Sequence, residues 1–331
     1  MEPPLPRKSP RPSLYLVPLP VVIDSDPGID DSLALLLALA SPELEVRGIS
    51  VSYGNTVVEN AMRNAVEVVR RAGKRVPLAM GARRPLKRAL AVALETHGSS
   101  GVGDAKVPPA GSVIDFMKPL ERLLAEQPEP VTLVTLGPVT SLAVALKRAP
   151  DVVREKVSRH IAMIGNLDAR GNTTPYSEFN AWCDPEALAQ VLGAELPTDL
   201  VTLDVTREIV LTGKEVGALA EVEEPQAQWL AGALSFYHRF HREYEGLDGC
   251  VVNDVLVIAA LIDPSVLAFQ PSRLTVGLED GDERGRTQVD MDGWKARVAT
   301  TVKTEAVRSM LIERVLPWLD VTATAGHGRR R

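Results

Sequence analysis

The chain has 331 residues, 45% of them hydrophobic, 24% charged and 4% aromatic, which suits one large α/β unit with a sizeable, mainly aliphatic core. Its net charge of −6, with no basic stripe, gives no electrostatic case for a nucleic-acid partner, and its apolar runs are too short to cross a membrane. Two cysteines, Cys183 and Cys250, do not make a disulfide framework and fit a reducing, cytoplasmic setting.

The opening "MEPPLPRKSPRPSLYLVPLP" is rich in proline. Pro18 and Pro20 break its one short apolar stretch, so it does not read as a signal peptide; residues 1–18 are expected to be a flexible tail. "LPVVID" reads as a buried strand. "DSLALLLALAS" is a strong helix former, with Asp30 or Asp31 near its N-cap. "EVRGISVSYG" predicts a strand, "TVVENAMRNAVEVVRRAG" a helix and "RVPLAMG" a third strand. Residues 82–111 read as a long loop punctuated by Gly and Pro. A helix over 112–126 leads to the strand "PVTLVTLG", the helix "PVTSLAVALKRA" and the strand "RHIAMIG". "NLDARGNTTPYSEFNAWC" reads as loop, "DPEALAQVLG" as a helix opening at Asp-Pro, and "DLVTLDVT" as a strand. Residues 212–262 look mainly helical. Gly/Asp turns in "SRLTVGLEDGDERGRTQVDMDGWKARVATTV" separate short strands, and a last helix spans about 304–318. Strand–helix alternation implies an α/β, Rossmann-like fold: a mostly parallel central sheet flanked by helices, with a small antiparallel addition near the C-terminus. Residues 19–320 read as a single domain, and 321–331 as a second flexible tail.

"VVIDSDPGIDDSLALLLALA" places Asp24, Asp26, Asp30 and Asp31 within eight positions between two apolar runs. In an open α/β sheet, ligands bind beyond the carboxyl ends of the strands, where this cluster falls. Capping and the helix dipole explain one or two of the aspartates. They do not explain four, because clustered carboxylates repel and raise one another's pKa. A divalent cation relieves that repulsion, and an all-carboxylate set suits Ca²⁺ or Mg²⁺.

"DSDPGIDD" resembles the N-terminal signature of the nucleoside hydrolases, the inosine–uridine-preferring N-ribohydrolases, whose usual form has Thr where this chain has Ser25. "SYGN", "THGSSGVGD", "TLGPVTSLAVAL", "GNTTPYSEFNAWCDPEA" and "NDVLVIAALIDP" follow in the family's order at similar spacing and cover about residues 20–265. The resemblance implies the nucleoside hydrolase fold and cleavage of the N-glycosidic bond of a ribonucleoside by water, through an oxocarbenium-like transition state. It also implies a calcium cofactor, a small-molecule nucleoside substrate, and a homodimer or homotetramer. Carried over position by position, Asp26, Asp31, Asp254 and the backbone carbonyl of Leu136 would ligate calcium, and Asp26 would act as general base. Asp30, Asn172, Glu178, Asn180 and Asp254 would serve the ribose, Asn172 and Glu178 toward its 5′ end. Asn55 would lie near the reacting carbon, His97 would help activate the base, and Asp24 would orient the motif.

Each residue also has a plain structural reading. Asn55 and Asn172 suit turns, Asp254 suits the N-cap of "VLVIAALI", and a loop histidine such as His97 is commonly solvated. Glu178 and Asn180 flank Phe179, an alternation that would bury Phe179 and turn the two polar groups into a pocket. Ile164 stands where relatives carry a sulfur that packs on the sugar. The main departure is Asn253. Many relatives have His before the aspartate, as proton donor to the leaving base, and an amide cannot deliver a proton at neutral pH. Tyr237, His238, His241, Arg242 and Tyr244 in "SFYHRFHREYEG" are alternative donors. Two further readings stay open. The chain could bind nucleosides with little turnover. Alternatively, "VVIDSD" could open a haloacid-dehalogenase-type phosphatase, with "LEDGDERG" supplying later acids.

Overall fold

The computed structural model describes residues 17–108 and 117–319. Nine strands form one sheet: β1 (Leu19–Ser25), β2 (Leu44–Val51), β3 (Leu78–Met80), β4 (Val131–Thr135), β5 (Val157–Met163), β6 (Thr198–Val201), β9 (Leu267–Val276), β10 (Thr287–Val289) and β11 (Trp294–Val302). Their order is β10-β9-β11-β6-β5-β4-β1-β2-β3. From β3 to β11 every neighbouring pair is parallel. β9 and β10 then add antiparallel to their neighbours. The antiparallel addition is therefore a continuation of the main sheet, since β11 pairs on one side with β6 and on the other with β9.

The chain leaves β1 in one direction, through β2 to β3, and returns to β1's other side with β4. That reversal opens a crevice at the carboxyl ends of β1 and β4, the place where such sheets bind ligands. Alternation along β1 divides the core. Val21 and Ile23 face a cluster built with α1 (Ile29–Ala40) and α2 (Val58–Arg71), while Val22 faces the opposite cluster. α1 is apolar nearly all round, and Ile29 to Leu39 are all buried. It lies between the sheet and further helices, among them α12 (Val255–Ile262) and α13 (Thr304–Val315). α2 buries only Val58, Ala61, Met62, Ala65, Val68 and Val69 among its apolar positions, the spacing of a one-sided helix.

Several predicted elements differ in detail. The long loop holds one helical turn, α3 (Leu94–His97). α4 starts at Leu120 and ends at Ala125; residues 112–116 of the predicted helix, most of the expected tail 1–18 and the tail 321–331 lie outside the described residues. α5 (Thr140–Arg148) is followed by a separate α6 (Pro150–Lys156), which a proline at its first turn starts afresh. α7 (Phe179–Cys183) arises within the predicted loop, and α8 (Pro185–Gly193) opens at Asp184-Pro185 as expected. "DLVTLDVT" is a strand only to Val201, and its second half is α9 (Leu203–Thr206). The stretch read as mainly helical contains α10 (Gly213–Ala220), α11 (Pro225–Phe240) and a π-helical turn (His241–Glu245). It also contributes β8 (Gly249–Val251), which pairs antiparallel with β7 (Val210–Thr212) in a small second sheet. The last helix stops at Val315.

Candidate active site

A cleft of about 480 Å³ opens at the β1/β4 crevice. Asp26 follows β1, Asn55 follows β2 and Leu136 follows β4; Asp30 and Asp31 form the first turn of α1, and Asp254 precedes α12. One rim of the cleft thus draws Asp30, Asn55, Leu136 and Asp254 from four segments that share only their place at the carboxyl edge of the sheet, while Asp26 and Asp31 are fully buried and do not line it.

The carboxylates are all buried. One oxygen each of Asp30, Asp31 and Asp254 lie within 4.8 Å of one another. Asp31 is tied down: Oδ1 accepts from the Ser25 hydroxyl at 2.6 Å, and Oδ2 from Gly28 N at 3.0 Å and the Asn55 side-chain amide at 2.6 Å. Asp26 Oδ2 accepts from Asn55 N at 2.6 Å, whereas its Oδ1 has no partner among the described residues. The backbone wraps Asp26 closely. A Cβ at Gly54 would come within 1.9 Å of its Oδ2, and one at Gly137 within 2.3 Å of its Oδ1. Burial lifts Asp26 and Asp254 well above the carboxylate range, and the neighbouring aspartates push them further. Asp30 is raised to about 7 by the same two causes, burial first and Asp31 second. Asp24, behind the cluster, is lifted to about 7 by burial, which the nearby Ser50 and Ser141 hydroxyls offset only in part; neither of its oxygens meets a partner at bonding distance among the described residues. Three buried carboxylates that converge, Asp30, Asp31 and Asp254, with one oxygen of the neighbouring Asp26 buried and unpartnered among the described residues, are a donor set that a hard cation satisfies. The residues present therefore fit a calcium-type ion. The group of three differs from the expected ligand set in holding Asp30 and not Asp26. Asp254 makes no side-chain cap to α12, so capping does not explain it.

The opposite wall carries Asn172, Glu178 and Asn180. Glu178 caps α7 and spends both oxygens on backbone: Oε1 accepts from Asn180 N, and Oε2 from Gly165 N and Ala181 N, at 2.8–3.0 Å. Asn180 donates to the carbonyls of Leu136 and Met163 at 2.9 and 3.1 Å, linking the ends of β4 and β5. Asn172 is exposed, and its side-chain oxygen accepts from Phe179 N at 2.8 Å. Glu178 and Asn180 line the cleft as expected, but Phe179 between them is not buried away from it. Glu178 and Asn180 are buried, while Phe179 is half-buried and lines the cleft. Glu178's carboxylate holds three N–H groups, and that bonding draws it inward. Ile164 is buried in the core away from the cleft. The sulfur at this wall belongs to Met163, 3.7 Å from the Asn180 amide.

His97 is buried, not solvated. Its Nδ1 accepts from Ile29 N at 3.1 Å, so the neutral ring carries its proton on Nε2. Burial first, and His241 second, pull its pKa down to about 3. His97 therefore offers the cleft a hydrogen-bond donor and not a strong acid. Of the five donors proposed near residue 240, Tyr237 and His241 line the cleft. His238 instead meets Asp248 at 2.9 Å, and Tyr244 is exposed and stacked on Phe240. His241 donates from Nδ1 to the Tyr237 carbonyl at 2.9 Å, which leaves Nε2 as its free nitrogen, 4.0 Å from Glu245.

The profile of the family described as inosine-uridine preferring nucleoside hydrolase matches residues 21–309. The chain belongs to that family. It is 34% identical to the pyrimidine-specific ribonucleoside hydrolase RihA of Salmonella gallinarum (strain 287/91 / NCTC 13346) over 312 residues, 90% of this chain and 98% of RihA. Its structure resembles that of the plant nucleoside hydrolase PpNRh1, with a TM-score of 0.81 and 30% identity over 90% of this chain and 99% of that one. It also resembles the purine-preferring ribonucleoside hydrolase of Gardnerella vaginalis, with a TM-score of 0.80 and 28% identity over 90% and 98%.

The protein is thus a nucleoside hydrolase, an enzyme acting on a small-molecule nucleoside. The phosphatase reading falls: the acids of "LEDGDERG" sit on an exposed turn between β9 and β10. Asn253, where many nucleoside hydrolases carry histidine, accepts from the Thr206 hydroxyl at 2.8 Å and reaches Asp30 Oδ2 at 3.4 Å. Sequence reasoning missed three charged residues of the cleft, Glu95, Arg207 and Glu245. Arg207 follows a run that reads as strand, which hid its place beside Asn253. No helix among the described residues is long and apolar enough to cross a membrane.

Proposed function

We propose that this nucleoside hydrolase cleaves the N-glycosidic bond of ribonucleosides with water, using Asp26 as general base beside a calcium ion held by Asp26, Asp31, Asp254 and the Leu136 carbonyl. The observation that carries this reading is Asp26. It is a buried carboxylate close enough to Asp30 and Asp31 to feel their charge, with one oxygen fixed by Asn55 N and the other unpartnered among the described residues. When bound, calcium supplies a Lewis acid for the attacking water and a grip on sugar hydroxyls.

The chain's own residues do the rest. Asn55 bonds both Asp26 and Asp31 and so sets the base against its neighbour. Asp26 takes the proton of the water that attacks C1′. Asp30 and Asp254 accept from ribose hydroxyls at one wall of the cleft, and Asn172, Glu178 and Asn180 hold the sugar and its 5′ end at the other. The acidic lining favours the positive charge that develops on the ring. His97 donates from Nε2 toward the leaving base. The enzyme is read as a cytoplasmic homodimer or homotetramer whose catalytic domain is residues 19–320.

Inosine, adenosine, guanosine, uridine and cytidine test the reading when each is incubated with the enzyme in phosphate-free buffer with calcium. Free ribose and free base in equal amounts are expected. Asn253 favours a second reading, a nucleoside-binding protein, because its amide cannot donate a proton at neutral pH. Tight nucleoside binding with no base released from any of the five would establish that reading instead.

A further inference from the structure

We infer that Arg207 takes over the work of the missing proton donor. It stabilises the base as it departs with negative charge, and so is the residue that carries, in this chain, the preference for inosine and uridine by which the family is described. The inference rests on the hydrolase reading above. Arg207 is half-buried in the wall of the cleft. It directly follows Thr206, whose hydroxyl holds the Asn253 side chain. Asn253 in turn precedes Asp254, a member of the carboxylate cluster. Arg207 therefore stands next to the position from which a histidine would serve the leaving group.

The surrounding charges leave its guanidinium available. Glu245, the acid that also lines this end of the cleft, approaches His241 Nε2 at 4.0 Å, and no carboxylate among the described residues forms an ion pair with Arg207. Arg207 and Glu245 act on His241 in opposite senses, the arginine disfavouring imidazolium and the glutamate favouring it, while burial, the largest influence, lowers its pKa. A histidine kept neutral by burial beside a fixed cation is a poor acid, whereas arginine stays charged at every working pH.

The chemistry closes without a protonated donor. The C1′–N bond breaks and its electron pair goes to the base nitrogen. The water oxygen bonds C1′, its proton passes to Asp26, and the base leaves as an anion against Arg207. On release, the anion takes a proton from solvent and Asp26 gives one up. Oxo bases suit this route, because their anions spread charge onto carbonyl oxygens, which a guanidinium binds with two parallel donors. Cytosine, with an amino group in place of one of those oxygens, and adenine, with no carbonyl at all, suit it less.

Arg207→Met and Arg207→Lys test it, with kcat/KM measured for uridine, cytidine, inosine, adenosine and 4-nitrophenyl β-D-ribofuranoside, whose nitrophenolate leaves without help. The wild type is expected to prefer uridine over cytidine and inosine over adenosine. R207M should lose about 10²-fold or more on uridine and inosine, the scale of one charge-stabilising donor, while cleavage of the nitrophenyl riboside falls only a few-fold. R207K should recover part of the loss. An unchanged R207M, an equal fall on all substrates, or a wild-type preference for cytidine and adenosine overturns the inference while leaving a working hydrolase. A wild type that cleaves none of the five, nitrophenyl riboside included, brings down the hydrolase reading and this inference with it.

Discussion

His97 shows how one residue's surroundings decide which chemistry it can do. Its Nδ1 is committed to Ile29 N, at the start of the helix that carries Asp30 and Asp31, and burial holds its pKa at about 3. Its ring should therefore show no titration by NMR between about pH 5 and 8, where an ordinary histidine changes charge; a midpoint near 6.5 would contradict the assignment. His97→Ala leaves the Ile29 N–H unpaired and should cost about 1–3 kcal/mol in urea unfolding. Much of the site was legible at this scale. Four aspartates in eight positions cannot all be caps, and two of them, Asp30 and Asp31, converge with Asp254 from far along the chain. What stayed hidden depends on partners distant in the chain. Nothing local to Glu178 says that Gly165 N will claim one of its oxygens. Nothing in the run before Arg207 says that the strand stops at Val201 and turns it toward the cleft.

At the level of elements, α1 and α12 each begin with buried acid, and the cost of that arrangement depends on pH. Asp24 and Asp30 have folded pKa values near 7, above the ordinary value near 3.8, and Asp26 and Asp254 are likewise raised well above it. A carboxylate raised on folding favours the folded state while protonated, and that contribution is lost as pH rises through the folded value. Chelated enzyme should therefore lose thermal stability from about pH 4 to above pH 7. Calcium should shrink the loss by pairing with the ionised acids. Differential scanning fluorimetry with and without chelator reads this, and a chelated protein that gains stability over the same range would contradict the charge assignment. The longer elements were legible because their periodicity is strong: α2's one-sided apolar spacing and the β-branched runs of β1 and β4. Of the short ones, β7 and β8 were not: each has three residues, too few for a period to show. α9 hides in a β-branched sequence, because tertiary position overrides propensity over a single turn.

For the whole molecule, the reversal of strand order at β1 gathers residues from position 30 to position 254 around one cleft. The sheet supplies the rigid edge, and the stretch from Arg207 to Glu245 supplies the leaving-group wall. Relatives of comparable similarity include one named for pyrimidine nucleosides and one named for purine, so the shared fold does not by itself fix the base. The central claim is that ribose release needs both a divalent cation and the Asp26 carboxylate. The most direct measurement is ribose release by wild type and Asp26→Ala across a calcium titration after chelation, with nucleoside binding followed in parallel. The account predicts that wild-type turnover vanishes with chelator and returns with calcium. Asp26→Ala should stay folded, bind nucleoside and lose about 10²–10⁴-fold in kcat, the range of a lost general base. Undiminished turnover in chelator, or an Asp26→Ala variant as fast as wild type, would contradict it.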